Sequence, residues 1–245
     1  MSGHSKWASI RHKKGATDAK RGKLFTKLIN EITVAARLGG GDEDANSALR
    51  AAIVKAHAAN MPKDNIDRAI KKGTGDLEGS DYQEMTYEGY GPGGVAMMAD
   101  ILTDNRNRTA ADVRSIFGKH GGNLGESGCV SYLFNRRGIL VYDASTNSED
   151  EIFETALDAG ASDVTSDDTS IEVVCEPDDF ESVLNAMQDG GFTHESAEIL
   201  KVPDARVALD DEGTRKALRL IEALEDYDDI QEVSSNIDIP DDFEM

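Results

Sequence analysis

The sequence predicts an α+β protein with a small helical domain at its N-terminus and antiparallel sheets after it. A length of 245 residues is enough for two or three compact domains rather than one. Apolar residues recur at helical spacing as far as Gly73, whereas short apolar strands alternate with helical segments beyond Tyr82. This order of elements is typical of helices that cover one face of antiparallel sheets.

The N-terminal domain is predicted to contain three helices. In the first, over 17–39, apolar side chains share one face at a spacing of about 3.6 residues. The second covers 45–59, and Asn60 behind it suits a left-handed helix cap. The third, over 62–73, begins with a proline, which is favourable in the first turn of a helix. A polar, glycine-rich segment over 73–81 then predicts a hinge.

The rest of the chain is predicted to alternate between strands and helices. Thr109 and Asp112 resemble a capping box, so a helix is expected to begin there. The tail over 240–245 is expected to fray. Strands are predicted at 85–90, 95–102, 130–134, 139–142, 163–165, 170–175, 195–202 and 230–234, and helices at 109–121, 149–159, 178–189 and 211–225.

Charge is distributed very unevenly along the chain. The formal net charge is -21, which argues against a protein that is basic all over or that coats an anionic membrane. Residues 1–75 nevertheless hold 15 Lys and Arg against 7 Asp and Glu, whereas residues 139–245 hold 5 against 31. The segment between them, 76–138, holds 6 against 9. Such asymmetry indicates that the two ends meet different partners.

The basic end has the composition expected of a segment that contacts phosphate backbones. Residues 1–30 carry eight cations against Asp18 alone. The arm over 1–16 lacks periodicity, so we expect it to be mobile and to order on binding. A solvated tail that pairs with the acidic half of the same chain is the alternative. The residues predicted to bind nucleic acid here are Lys6, Trp7, Arg11, Lys13, Lys14, Lys20, Arg21, Lys23 and Lys27.

Two further cations, Arg106 and Arg108, stand just before the expected start of a helix. Arginine opposes the helix dipole at that end, so these residues do not help the helix to fold. Beside free N–H groups, two guanidinium groups make an anion site, and the pair is predicted to bind nucleic acid as well. The alternative is a salt link to Asp104 or Asp112, and the sequence does not choose between the two.

The acidic half is interpreted in two ways. Most simply, it is a solvated surface that keeps the protein soluble and turns away from phosphates. The second interpretation is that it docks a basic protein surface, such as one on a ribosome or a polymerase.

Nothing in the sequence argues for catalysis, a metal, a cofactor or a small-molecule substrate. The five histidines show no metal-ligand spacing. Gly89, Gly91 and Gly94 match a dinucleotide fingerprint, but a strand follows them instead of a helix, so a hairpin turn is expected. No apolar run approaches the roughly 20 residues of a membrane helix. Since the start of the sequence also lacks the apolar stretch of a secretory signal, Cys129 and Cys175 indicate reduced thiols in a cytoplasmic protein.

Six short motifs occur in order along the chain: GHSKW at 3–7, DAKRGK at 18–23, AANMPKD at 58–64, YEGYGPGG at 87–94, TDNRNRT at 103–109 and HGGNLG at 120–125. Together they closely resemble the YebC/PmpR family, and the resemblance covers essentially the whole chain. It implies three domains, the third inserted into the second. Residues 1–78 are then the basic arm and helical domain, residues 79–135 with 204–245 a discontinuous α+β domain, and residues 136–203 an inserted acidic α+β domain.

The resemblance also implies a function without enzymatic activity. The family is described both as DNA-binding transcriptional regulators and as translation factors that act at the ribosome on stall-prone, proline-rich sequences, and it includes mitochondrial translational activators. We therefore expect a nucleic-acid-binding regulator of gene expression, most simply a DNA-binding transcriptional regulator. A factor that binds ribosomal RNA is the alternative, because no helix-turn-helix signature is visible and lysines outnumber arginines in the basic segment. An interaction protein that works through its acidic body is the competing class.

Overall fold

The computed structural model of the chain describes residues 18–75, 82–240 and 243, and its side chains from residue 22 onward. It is an α+β structure with an N-terminal helical domain and two four-stranded antiparallel sheets, which confirms the predicted fold class. Within the described residues, each large hydrophobic cluster stays inside the helical domain or inside one sheet and its helices. Apolar burial therefore stabilises three separate cores. The domain boundaries along the chain stay a prediction.

Helices and strands succeed one another much as the periodicity of the sequence predicts. The helices are α1 (Asp18–Gly39), α2 (Ser47–Ala58), α3 (Lys63–Gly73), α4 (Arg106–Lys119), α5 (Glu149–Asp158), α6 (Phe180–Asp189) and α7 (Asp211–Glu225). The strands are β1 (Gln83–Tyr90), β2 (Ala96–Thr103), β3 (Asn123–Leu124), β4 (Phe134–Asp143), β5 (Asp163–Ser166), β6 (Ser170–Cys175), β7 (Ser196–Pro203), β8 (Val207–Ala208), β9 (Ile230–Ser235) and β10 (Ile237–Asp238).

The helical domain packs the apolar faces of α1, α2 and α3 against one another. Asn46 sets the start of α2, because its side chain accepts a hydrogen bond from the Leu49 N–H at 3.1 Å. The same side chain donates to the carbonyl oxygens of Ala35 and Gly40, each at 2.8 Å, and so ties α2 to the end of α1. The buried residues of this core include Leu28, Ile32, Ala36, Leu49, Ile53, Ile66 and Ala69.

The first sheet has the strand order β3-β1-β2-β9. β1 and β2 form a hairpin, in which Tyr90 pairs with Ala96 across a 3-10 turn over Pro92–Gly94. Gly93 has a φ of 71° in this turn, a left-handed conformation that glycine adopts without strain. The glycine-rich motif thus forms the expected hairpin. The short strands β8 and β10 pair in parallel beside this domain.

Helices α4 and α7 pack on one face of the first sheet. Helix α4 begins at Arg106, because the Asn105 side chain caps it by accepting a hydrogen bond from the Arg108 N–H at 3.1 Å. The prediction that this helix begins at Thr109 is therefore wrong, and Thr109 is a buried residue inside its first turns. The core between the helices and the sheet includes Met97, Ile101, Val113, Phe117, Leu218, Ile221, Ile230 and Val233.

The second sheet has the strand order β5-β6-β4-β7 and is antiparallel throughout. Its core against α5 and α6 includes Leu140, Tyr142, Ile152, Ile171, Val173, Val183 and Met187. The chain enters this sheet at Phe134 and leaves it at Pro203, and these two residues pair directly across β4 and β7.

One predicted turn lies inside a continuous strand. The sequence predicts two strands on either side of residues 135–138, but β4 runs unbroken from 134 to 143, and residues 131–133 form a 3-10 turn. The wrong prediction of a turn comes from Gly138, because a glycine in a sequence indicates a turn. Here it allows close packing: a Cβ at this position would lie 2.6 Å from both the Cys175 Sγ and the ring of Phe180.

The C-terminal tail is anchored at Phe243. This residue is buried against the core of the first sheet, and the guanidinium carbon of Arg215 lies 5.3 Å from the centre of its ring. The expectation that the tail frays is wrong at this position. Residues 241, 242, 244 and 245 lie outside the described part of the chain.

Candidate nucleic-acid interface

The residues predicted to bind nucleic acid fall into three groups. Four of them, Lys23, Lys27, Arg106 and Arg108, have described side chains. Lys20 and Arg21 belong to the first turn of α1, and their side chains are outside the description. The arm over 1–16 and its predicted ligands Lys6, Trp7, Arg11, Lys13 and Lys14 also lie outside the described residues.

Lys23 and Lys27 contact the C-terminal end of α7, roughly 200 residues further along the chain. The Lys23 ammonium donates to the Asp226 carbonyl oxygen at 2.9 Å and lies 3.6 Å from the carboxylate of the same residue. The Lys27 ammonium donates to the carbonyl oxygen of Glu225. Cations stabilise a helix C-terminus, so the basic side of α1 interacts favourably with α7.

Arg108 is held by two carboxylates within its own domain. Its Nη2 lies 3.0 Å from Asp104 and 3.3 Å from Asp229. The hydrogen bond to Asp229 is the main reason that the pKa of Arg108 is raised, with Tyr227 next. Of the two alternatives for this residue, the structure shows the salt link, with Asp104 as predicted and with Asp229, which the sequence did not suggest.

Asp229 connects α4 to the loop between α7 and β9. Its Oδ2 accepts hydrogen bonds from Thr109 at 2.6 Å and from Thr103 at 3.0 Å, in addition to the contact with Arg108. Nearby, the Tyr227 hydroxyl donates to Asp112 at 2.8 Å, and burial, followed by that hydrogen bond, raises the pKa of Tyr227 to about 12. The start of α4 is therefore fixed by a buried polar network.

Arg106 differs from its neighbour. It is exposed, and within the described residues its guanidinium makes no hydrogen bond or ion pair, although its carbonyl oxygen accepts a hydrogen bond from the Tyr87 hydroxyl at 3.5 Å. The first turn of α4 contains no acidic residue, so the charge of the Arg106 guanidinium is not compensated within that turn. Of the two arginines, Arg106 is the one that can receive a phosphate without giving up an existing contact.

Two further cations, which no sequence motif indicated, extend this surface. Arg114 and Lys119 are exposed on α4, on either side of small residues that face solvent. The one carboxylate of α4, Asp112, is bonded to Tyr227. Arg114 and Lys119 lie with Arg106 on the exposed side of the helix, which we call the α4 face; it consists of Arg106, Asn107, Ala111, Arg114, Ser115, Gly118 and Lys119.

Helix α3 presents a different surface. Its exposed residues combine Lys63, Arg68 and Lys71 with the carboxylates of Asp64 and Asp67. A phosphate backbone gains little from such a mixed face. Helix α3 therefore lacks the uniformly basic surface expected of a helix that lies against phosphates.

The segment over 136–203 is strongly acidic. It holds 17 Asp and Glu against 3 Lys and Arg. Two of these cations are paired with carboxylates: Arg137 with Glu176, and Lys201 with Asp100 of the first sheet. Phosphates would be repelled from this side of the molecule.

Within the described residues, no group of three or more His, Cys, Asp or Glu side chains is placed to hold a metal ion. No helix in this part of the chain is long and apolar enough to cross a bilayer. Cys129 and Cys175 are both free thiols, and burial raises the pKa of Cys175 to about 11.

The fold and these surfaces define a three-domain α+β protein in which basic and acidic faces are separated. The chain belongs to the TACO1/YebC family. Residues 5–76 match the family described as the TACO1/YebC protein N-terminal domain, and residues 82–237 match the family described as the TACO1/YebC second and third domain. The resemblance drawn from the motifs is thus confirmed.

Similar proteins come from several bacteria. A probable transcriptional regulatory protein of Treponema denticola is 60% identical over 245 residues, which is 100% of this chain and 99% of the relative. One from Geobacter sp. strain M21 is 56% identical over 98% of this chain and 96% of the relative. The crystal structure of a conserved hypothetical protein, Aq1575, from Aquifex aeolicus is 49% identical and superposes with a TM-score of 0.83, covering 92% of this chain and 93% of that one.

Proposed function

We propose that this protein is a non-enzymatic regulator of gene expression that binds nucleic acid through its basic N-terminal segment and the α4 face. The separation of charge carries the proposal, because cations predominate over 1–30 and on the α4 face, whereas the segment over 136–203 is acidic. Phosphates would be excluded from the acidic side and attracted to the basic one. The names of the relatives, probable transcriptional regulatory proteins, support the same class.

A DNA-binding transcriptional regulator is the first form of the proposal. Lysines predominate in the basic segment, and they bind phosphates as point charges instead of reading base edges in pairs of hydrogen bonds. Binding would therefore depend strongly on salt. Six to eight phosphate contacts correspond to a loss of affinity of roughly 10³ or more between low and moderate salt.

A ribosome-binding translation factor that relieves stalling at proline-rich sequences is the second form. The mixed charge of the exposed face of α3 favours it, since Asp64 and Asp67 beside the cations make α3 poorly suited to lie in a major groove. Structured ribosomal RNA offers dense phosphates and needs no base readout. The acidic inserted segment would then be available to a basic ribosomal protein.

The decisive experiment is a pair of titrations over a salt series, one with duplex promoter DNA and one with purified ribosomes. Tighter binding to particular DNA fragments than to random duplex at the same salt concentration supports the transcriptional form. Ribosome binding that persists where DNA binding is lost supports the translational form. Failure to bind either would overturn the proposal and leave the acidic body as the functional surface.

Deletion of residues 1–16 distinguishes the proposed nucleic-acid-binding regulator from an interaction protein whose basic arm is only a tether. Under the proposal, the deletion abolishes nucleic-acid binding. If instead nucleic-acid binding is absent in the full chain and capture of a basic protein partner survives the deletion, the competing class is correct. A screen that finds turnover of a nucleotide or peptide would contradict the non-enzymatic assignment.

The contribution of the α4 face is tested against an equal loss of charge elsewhere. Replacing Arg106, Arg114 and Lys119 by Ala should weaken nucleic-acid binding. It should also reduce the slope of log affinity against log salt concentration by the equivalent of up to about three phosphate contacts. Replacing Lys63, Arg68 and Lys71 on α3 removes the same charge from a mixed face and serves as the control. Equal effects of the two triple variants would show that only net charge matters.

A further inference from the structure

The C-terminal end of α7 contacts the basic side of α1. The last four carbonyl groups of a helix have no partner inside the helix, and they form the negative end of its dipole. The last turn of α7 has no basic residue of its own. Lys23 and Lys27 supply these cations from α1 by donating to the carbonyl oxygens of Asp226 and Glu225.

This contact between the helical domain and α7 is polar. No large hydrophobic cluster of the described residues joins the helical domain to the first sheet. The side chains of Lys23 and Asp226 are 44% and 50% exposed, so water and salt screen their attraction. Lys55 of α2 adds a second charged contact, with Glu232 of the first sheet. Domains held together by polar contacts, without a large hydrophobic interface, move relative to each other by default.

The same two ammonium groups are predicted to bind phosphate. A lysine ammonium is a compact charge on a flexible stem, and it can exchange one oxygen acceptor for another. A phosphate that approaches Lys23 in the docked arrangement would meet the Asp226 carboxylate, which lies 3.6 Å from the Lys23 ammonium, and the carbonyl oxygens at the end of α7. Repulsion between these anions makes simultaneous occupation unfavourable.

We propose that Lys23 and Lys27 exchange the C-terminal end of α7 for a phosphate backbone, so that nucleic-acid binding and docking of the helical domain on α7 exclude each other. This inference rests on the proposed function and adds its regulation. In the free protein, the C-terminal end of α7 occupies two of the lysines that are predicted to bind phosphate. On binding, the nucleic acid displaces α7 and releases the helical domain from the first sheet.

Zero-length cross-linking with a carbodiimide tests this exchange in the full chain. The reagent joins an amine and a carboxylate that are already in contact, and mass spectrometry identifies the joined peptides. Lys23 and Asp226 should be linked in the free protein, because their charged atoms are 3.6 Å apart. Saturating duplex DNA or a structured RNA hairpin should suppress this link. Lys216 and Glu212, 2.7 Å apart within α7 itself, provide the internal control and should be linked equally under both conditions.

A charge-reversal variant tests the same point through affinity. Asp226→Lys places a cation at the end of α7, where it satisfies the helix dipole and repels Lys23. Asp158→Lys makes the same change of charge at the last residue of α5, a helix that packs on the second sheet. We expect Asp226→Lys to bind a short duplex about fivefold more tightly than Asp158→Lys, the size of one exposed ion pair.

The outcomes separate this inference from the function on which it rests. Suppression of the Lys23–Asp226 link by bound nucleic acid, with the control link unchanged, supports the exchange. Bound nucleic acid with an undiminished link, or equal affinity of the two charge-reversal variants, overturns it and leaves the proposed function intact. Absence of any nucleic-acid binding in a fluorescence anisotropy titration overturns both.

Discussion

Asp100 and Glu232 lie directly opposite each other on the paired strands β2 and β9. Two carboxylates in this position repel each other. Asp100 is compensated by a hydrogen bond from the Thr86 hydroxyl at 2.8 Å and by an ion pair with Lys201. Glu232 lacks a comparable hydrogen bond, because its Oε1 is buried without a hydrogen-bond partner. Burial, followed by repulsion from Asp100, raises the pKa of Glu232 to about 7.

Charges from all three domains surround this carboxyl group. Lys201 and Glu198 approach it from β7, and Lys55 approaches it from α2. The two lysines favour the ionised form and Glu198 opposes it. Lys55 is itself paired with Glu31 of α1 at 3.0 Å. The junction of the domains is therefore sensitive to the protonation of one residue.

The first prediction concerns stability against pH. The folded chain holds the Glu232 proton up to about pH 7, whereas a free glutamate with a pKa of 4.5 has already lost it. The contribution of this proton to the free energy of unfolding is therefore complete below pH 4.5. It is lost as the pH rises towards and through 7. Glu232→Gln should remove this loss and be more stable than the wild type at pH 8, by on the order of 3 kcal/mol at most.

Urea unfolding at pH 5 and pH 8 measures this effect. Glu84→Gln, an exposed residue on β1 of the same sheet, is the matched control. The assignment of the pH dependence to Glu232 fails if both variants retain the wild-type difference between the two pH values.

The second prediction distinguishes the two arginines at the start of α4. Arg108→Ala should lower the urea midpoint, because Asp229 and Asp104 lose their cation. Arg106→Ala should leave the midpoint unchanged and weaken nucleic-acid binding, since its guanidinium is exposed and unpaired among the described residues. Unfolding curves and a salt-series titration of both variants provide the test. Identical behaviour of the two would contradict the separation of structural and binding roles.

The third prediction concerns the loop that follows β3. The buried carboxylate of Glu88 accepts hydrogen bonds from the N–H groups of Gly128, Val130 and Ser131 at 2.7–2.8 Å. Burial alone would raise the pKa of Glu88, but these donors outweigh it and the pKa is lowered. Glu88→Gln should destabilise the protein by about 1.5–3 kcal/mol near neutral pH, the usual size for hydrogen bonds to a charged group.

Acid should reduce that difference. A carboxylate with a lowered pKa stabilises the fold above the ordinary glutamate range, and the benefit is lost as the pH falls through its folded value. Wild type and Glu88→Gln should therefore converge in stability at low pH. A constant difference down to pH 3 in chemical denaturation would show that the hydrogen bonds are not the cause.

The fourth prediction concerns the packing of α3 against α1. A Cβ at Gly73 would lie 2.3 Å from the carbonyl oxygen of Thr33 and 2.7 Å from the Cβ of Ala36. Gly73→Ala should destabilise the helical domain by about 1–3 kcal/mol through overpacking. Gly22→Ala on α1 has open space around it and should be neutral or slightly stabilising. Circular dichroism during thermal unfolding compares the two, and equal effects would argue against the close approach.

Local signals were sufficient for much of the fold. Helix α7 was predicted at 211–225 and is found there, because Asp210 caps it by accepting a hydrogen bond from the Gly213 N–H at 2.8 Å. Asn60 adopts the left-handed conformation expected of it, with a φ of 57°. Both residues act on their immediate neighbours, which is the range over which sequence patterns are informative.

The surroundings of the predicted site were harder to foresee. Lys23 and Lys27 were chosen for their charge and helical spacing, but their contacts with α7 depend on tertiary packing between distant segments. Asp229 likewise reaches Arg108 across 121 residues. Arg114 and Lys119 of the α4 face carry no comparable local signal, because single cations on the exposed side of a helix are common in any helix.

The pairing of Phe134 with Pro203 has a consequence for the segment that lies between them. Paired residues on antiparallel strands are about 5 Å apart, so the entire segment between them begins and ends at one point on the neighbouring domain. A change of sequence or length inside this segment therefore leaves its two ends in place, next to the strand order β3-β1-β2-β9 and the core of the first sheet. The number of aspartates and glutamates in this segment, 17 in this chain, can accordingly differ without altering the backbone of the basic surfaces.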